Sequence, residues 1–218
     1  MPRADIPLVD APAGRVRLSD RRSERTWDVP VGAFRIGAAP VTSGQLAGLR
    51  DDAATDPALP AVGASWWDAV RLCNALSVRD GLPPCYDVDE AREHVAWDRG
   101  ADGYRLPTEA EWEHACRAGT TGPRYGDLDA IAWYRGTSGE RLHPVGTKQP
   151  NAWGLHDTLG LVWEWCWDLY DPEVYGSYRV LRGGGWFDEH WSVRASVRRR
   201  SHPTLSIDDV GFRVVRDA

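Results

Sequence analysis

The sequence predicts an α+β domain with little regular secondary structure and long ordered loops. Three observations carry this expectation. The 218 residues include 12 Trp and 22 Gly without long aliphatic runs, which describes a core built on indoles and a chain that turns often. Only two segments carry complete helix-start signals. Apolar alternation is confined to short runs bounded by Gly, Pro, Asn and Asp, as in short strands. At about 100–200 residues per domain, the chain makes one domain, expected over residues 26–218 behind a Pro- and Arg-rich N-terminal arm, residues 1–25.

The elements follow in order. Between Thr26 and Thr42, the residues Trp27, Val29, Val31, Phe34 and Ile36, interrupted by Pro30 and Gly37, read as short strands. Ser65 opens a helix through Ser77. Asp68 stands three residues on for reciprocal capping, Val70, Cys73, Leu76 and Ser77 keep helical spacing, and Gly81 lies beyond the end. Thr108 and Glu111 repeat the signal after Pro107, giving a helix to about Ala118 and Gly119. Past residue 120, turn residues recur among Trp and Tyr, so long loops held by aromatic packing or by an ion are expected. If residues 163–168 form a strand, Trp163, Trp165 and Trp167 share one face, with Glu164, Cys166 and Asp168 on the other. Two further strands are expected where Val193, Ala195 and Val197 alternate with Arg194, Ser196 and Arg198, and where Phe212 and Val214 alternate with Arg213 and Val215.

Charge and composition exclude several classes. The net charge of −6 argues against nucleic acid as a partner, although residues 179–218 carry eight Arg against five acids, a segment suited to an anion. No window approaches the 18 or so apolar residues of a membrane span, and the N-terminus lacks the apolar core of a secretory signal, so a cytoplasmic protein without a membrane partner is expected. Cys73, Cys85, Cys116 and Cys166 form no CxxC pair, which points to reduced, buried thiols. Gly183-Gly184-Gly185 precedes a strand-like turn rather than a helix and is not a phosphate loop.

Three stretches then become recognisable: Tyr-Arg-Leu-Pro-Thr-Glu-Ala-Glu-Trp-Glu at 104–113, Pro-Asn-Ala-Trp-Gly-Leu-His-Asp-Thr-Leu-Gly-Leu-Val-Trp-Glu-Trp at 150–165, and Arg-Gly-Gly-Gly-Trp at 182–186 with Gly-Phe-Arg at 211–213. In order and spacing they resemble the formylglycine-generating enzyme, or sulfatase-modifying factor, family, from about residue 27 to 216. The resemblance implies a variant of the C-type lectin fold. It does not settle activity, because the family is grouped with copper oxidases of a sulfatase cysteine, non-haem oxidases of the ergothioneine and pyoverdine pathways, and non-catalytic binding modules.

The resemblance implies a structural calcium ion held by the side chains of Asp157 and Glu164 and the carbonyls of Gly160 and Val162. Calcium takes about six to eight hard oxygen ligands, and two carboxylates flanking a Gly-containing turn supply part of that set. Leu161 replaces the family's usual Asn, which is not expected to be a ligand. The alternative is that Asp157 caps a turn and Glu164 pairs with an Arg. For catalysis, the oxidising members are expected to bind copper(I) through two cysteines after the Gly-Gly-Ser motif. Residues 186–192 hold no Cys, and Gly185 replaces the Ser, so formylglycine generation is not expected. Asp188 and His190, with His202 later, offer ligands for another transition metal; the alternative is a polar surface loop. The resemblance also places Trp163 in a ligand cleft, with Trp191 in the loop beside it, while Trp165 and Trp186 belong to the core. Arg194, Arg198 and Arg200 alternate onto one face, suited to a carboxylate or phosphate, unless paired with Asp208 and Asp209. With His202, the expected cleft is therefore Trp163, Trp191, Arg194 and Arg198. The family's disulfides are not expected, because Val214 and Ala195 stand at the positions facing Cys73 and Cys116.

Two functions follow. One is a metal-dependent oxidation of a small molecule or peptide by Asp188 and His190. The other is a non-catalytic, C-type-lectin-type module binding a small molecule or protein, including the variable proteins of diversity-generating retroelements.

Overall fold

The computed structural model describes residues 5–47, 49 and 56–218. In chain order the strands and helices are β1 (Leu8–Ala11), β2 (Gly14–Asp20), β3 (Arg25–Val31), β4 (Phe34–Gly37), α1 (Trp66–Arg79), β5 (Tyr86–Asp89), β6 (His94–Trp97), α2 (Glu109–Arg117), α3 (Leu128–Ile131), β7 (Trp163–Leu169), α4 (Pro172–Tyr175), β8 (Arg179–Arg182), β9 (Arg198–Ser201), β10 (Val210–Phe212) and β11 (Val215–Asp217). They form an α+β fold of short, mixed sheets and few helices.

Both capping boxes are made. Ser65 accepts from the Asp68 backbone and Asp68 returns the bond at the start of α1; Thr108 and Glu111 do the same for α2. The second helix closes on Ala118 in the left-handed region, φ 44°.

Residues 8–11 and 14–20, within the segment expected as an arm, are strands. β1 pairs with β4, which also takes β11, so the two ends of the domain share one sheet in the order β1-β4-β11. β2 and β3 form a separate hairpin whose tight turn spans residues 21–24. The sheet that positions the site runs β10-β7-β8-β9, with β10 parallel to β7. One expected strand is displaced: residues 193–197 are loop, and the pairing begins at Arg198. The alternation nevertheless marks burial correctly, since Val193 and Ala195 are buried.

The core is aromatic, as expected. Trp66, Trp112, Trp163 and Trp165 are fully buried, and each indole N–H has an acceptor: the Cys166 carbonyl, the Glu164 carboxylate, the Asp188 carboxylate and the Ala64 carbonyl. A buried indole left without one would forfeit about 1–3 kcal/mol, so these acceptors fix which way each ring lies. Trp186, expected in the core, is half-buried and donates to the Asp208 carbonyl. All four cysteines are free and buried; Val214 shares a cluster with Cys73, and Ala195 with Cys116.

Candidate functional site

The segment from Gly183 to Val197 leaves β8 through three glycines. Gly183 and Gly184 have φ of +104° and +88°, and a Cβ on Gly184 would stand 3.1 Å from the Val193 side chain. Only glycine takes both conformations without strain. A Cβ on Gly185 would stand 3.0 Å from Asp209 Oδ2, so replacing the family's Ser with Gly makes room for that carboxylate. The loop is then tied down from outside. Arg135 N–H donates to the Asp188 carbonyl (3.0 Å), and Arg124 donates to the carbonyls of Val193 (2.9 Å) and His190 (2.5 Å). It is therefore an ordered surface with two sides.

On the inner side, Asp188 is a clamp. Its Oδ2 accepts from the Trp163 indole (2.5 Å) and the Gly185 N–H (2.8 Å), and its Oδ1 faces Arg199 at 3.4 Å. Arg199 lies over the Trp163 ring, 4.4 Å from its centroid. Beside them, burial and then the charge of Asp188 push Asp209 above the usual carboxylate range. Trp163 is only 1% exposed, which corrects the expectation that it lines an open cleft: Asp188 and Arg199 close over it. Nor do the three expected metal ligands converge. His190 is exposed and meets Trp191 edge-on, while His202 bonds the Thr204 hydroxyl (2.7 Å) and packs against Tyr178. Among the described residues, no group of three His, Cys, Asp or Glu is placed to hold a metal ion.

On the outer side, a cavity of about 770 Å³ opens between the β2–β3 turn and residues 191–198, lined by Arg21, Arg22, Tyr170, Trp191, Arg194 and Arg198 among others. Here the structure gathers three of the expected cleft residues, Trp191, Arg194 and Arg198. Their roles differ. Trp191 is 56% exposed and offers an open aromatic face. Arg198 is committed: it forks onto Glu109 (2.5 and 2.8 Å) and reaches Asp20 at 3.5 Å, rather than pairing with Asp208 or Asp209. Arg22 is likewise held, by Asp171 and Asp20, and Arg200 lies over Tyr175. Arg21 and Arg194 have no carboxylate partner among the described residues; Arg194 uses only Nε, on the Trp191 carbonyl.

Beneath the cavity sits a buried ionic network. Arg182, fully buried, is held between Glu109 and Glu113, so Glu109 bridges Arg182 and Arg198. Asp168 accepts from the Glu109 N–H (2.6 Å) at the start of α2, yet burial and the Glu109 charge push it up to about 6.

Most of the expected calcium donors have partners within the chain. Both oxygens of Glu164 are engaged: Oε1 accepts from Arg213 Nη2 (2.9 Å), and Oε2 from Arg213 Nε (3.1 Å) and the Trp112 indole (2.8 Å). The guanidinium supplies the positive charge an ion would bring. The Gly160 carbonyl accepts from the Val162 N–H at 2.9 Å. Asp157 does have one buried oxygen without a partner, beside an equally unpartnered Thr158 hydroxyl. Burial raises the pKa of Asp157, and its other oxygen accepts from the Gly146 N–H at 2.7 Å. The Glu164 side chain and the Gly160 carbonyl are thus engaged within the chain, and Asp157 alone of the two carboxylates keeps an unpartnered oxygen.

Sequence reasoning missed Arg199 and Arg21, and offered Asp209 only as a partner for the arginine face. Arg199 was legible in principle, since it alternates with Arg198 and Arg200 on one strand. Asp209 and Arg21 reach the site only through tertiary packing.

The family model of the sulfatase-modifying factor enzyme 1-like domain matches residues 8–218. The chain is 34% identical to a formylglycine-generating enzyme of Streptomyces coelicolor over 72% of its own length, and 32% identical to a hercynine oxygenase of Mycobacterium tuberculosis over 96%. It spans 63% and 58% of those two relatives' lengths. It is also 29% identical to chaperone protein LppX of Paenibacillus barcinonensis, covering 97% of this chain and 89% of that protein. Among solved structures, Treponema denticola variable protein 1 superposes with a TM-score of 0.85 at 27% identity, covering 97% of this chain and 95% of that one.

Proposed function

The chain belongs to the sulfatase-modifying factor enzyme 1-like family, and from that premise we propose that it is a ligand-binding module of C-type lectin type rather than a metal oxidase. The observation that carries this reading is the state of Asp188. In the loop where the family's copper chemistry would need two cysteines, its carboxylate is engaged by Trp163, Gly185 and Arg199, while Trp191 and Phe187 (47% exposed) present apolar surface outward. A carboxylate held by three donors orders a loop, whereas exposed aromatics offer large contact area at small entropic cost. The likeness to the Treponema variable protein, which extends over nearly the whole of both chains, supports the same reading.

The test is metal loading set beside capture. Purified protein titrated with copper(I) and with iron(II) is expected to show no stoichiometric site. Immobilised protein is expected to retain a ligand that the Phe187→Ala/Trp191→Ala variant releases. One equivalent of tightly held transition metal, lost in Asp188→Ala, would sink the binding-module reading and restore the oxidase.

A further inference from the structure

We propose that the outer cavity is a site for a small molecule bearing a doubly charged anionic group, a phosphate monoester, on a planar or aromatic body. The inference rests on the binding-module reading and names the ligand class of that face. The argument begins with charge. Four arginines line the cavity against one carboxylate, Asp20. Arg198 is neutralised by Glu109 and Asp20, and Arg22 by Asp171. Two guanidinium groups, Arg21 from the hairpin turn and Arg194 from the 191–198 segment, are left without carboxylates among the described residues. They come from the two stretches of chain that line the cavity, and Arg194 engages a partner through Nε alone.

Two forked cations match one dianion. A phosphate monoester carries up to two charges and three terminal oxygens, and Ser19, Ser192 and Ser196 on the same lining add hydroxyl donors for oxygens the arginines leave open. The committed pair below has a separate use. Because Glu109 already holds Arg198, that part of the lining is fixed before any ligand arrives. The aromatic requirement comes from Trp191, which is exposed, and Tyr170, which is buried, both on the lining. The volume, about 770 Å³, falls within the roughly 300–1,000 Å³ of small-molecule sites.

The test is calorimetric titration with three probes: phenyl phosphate, inorganic phosphate and benzyl alcohol. Phenyl phosphate is expected to bind saturably at one per chain, inorganic phosphate more weakly, and benzyl alcohol not at all. Arg21→Ala/Arg194→Ala is expected to weaken both phosphates at least tenfold while melting within 2 °C or so of wild type, since both side chains are free of carboxylates. Trp191→Phe is expected to leave inorganic phosphate unchanged, and Trp191→Ala to weaken phenyl phosphate alone. Equal phosphate binding by the double arginine variant would overturn the proposal. So would an absence of saturable phenyl phosphate binding, and in that case capture that depends on Phe187 and Trp191 would still uphold the module reading.

Discussion

Glu164→Gln tests the reading of the molecule's centre most directly. Glu164 and Arg213 are both fully buried, and the arginine also donates to the carbonyls of Gly37 (2.7 Å) and His156 (2.8 Å), tying β7, β10 and the first sheet together. Glutamine keeps the shape but removes the charge and turns an NH₂ donor toward donors it cannot satisfy, either Arg213 or the Trp112 indole. Breaking a buried pair by removing one partner costs roughly 3–5 kcal/mol. At about 2.1 cal/mol/K of unfolding entropy per residue, a chain of this length loses about 6–11 °C in melting temperature. The assay is thermal unfolding followed by circular dichroism, each protein being melted with chelator and with added calcium. Wild type is expected to melt at the same temperature in both, and Glu164→Gln to melt far lower in both. A variant within 1 °C or so of wild type would refute the energetic argument. A calcium-dependent rise in wild type that the variant abolishes would make Glu164 an ion ligand and refute the assignment of its oxygens to Arg213 and Trp112.

The remaining predictions concern separate sites. Asp168 has a folded pKa of about 6, above its ordinary 3.8. The folded state therefore holds its proton more tightly, and this group's contribution to stability is full below pH 3.8 and lost as pH rises through 6, by up to about 3 kcal/mol. Asp168→Asn, which still accepts from the Glu109 N–H, is expected to melt higher than wild type at pH 8 and to flatten that part of the pH profile; an unchanged profile would remove Asp168 as its source. Gly184→Ala places a Cβ at φ +88° and 3.1 Å from Val193, and is expected to cost about 1–3 kcal/mol in urea unfolding; a neutral result would mean that the loop moves freely. Burial pushes the Cys116 thiol up to about 12, so none of the four buried thiols is expected to react with an aromatic disulfide until urea unfolds the chain. A fast-reacting equivalent in native protein would contradict the burial of the set.

Much of the fold was legible in the sequence because its signals are local. Ser65 with Asp68 and Thr108 with Glu111 satisfy N–H groups within one helical turn, so no distant residue decides whether they form. The 193–197 stretch shows where such reasoning ends. Its alternation records that Val193 and Ala195 are buried, but a period of two marks only which side chains face inward. Whether the backbone also pairs depends on a neighbour, and here Arg124 and Pro123 take the carbonyl of Val193 and the N–H of Ala195 before a strand can. The same limit applies to the site. Trp191 was recognisable as a loop residue suited to binding and Arg194 as part of an anion-binding strand face, but the sequence says nothing of which arginines stay uncommitted, since that depends on carboxylates far along the chain.

By itself, then, the sequence determined the α+β class, the two capped helices, the indole core, the family and the lack of a cysteine pair after residue 185. Each of these follows from residue type at fixed spacing. Tertiary structure alone decided that Glu164 meets Arg213, that Asp188 closes over Trp163, and that Arg198 is consumed by Glu109 while Arg21 and Arg194 remain available. The physical reason is that an ionic side chain's role is set by the nearest opposite charge, and for a buried arginine that partner stands as far away in sequence as Glu109 does from Arg198.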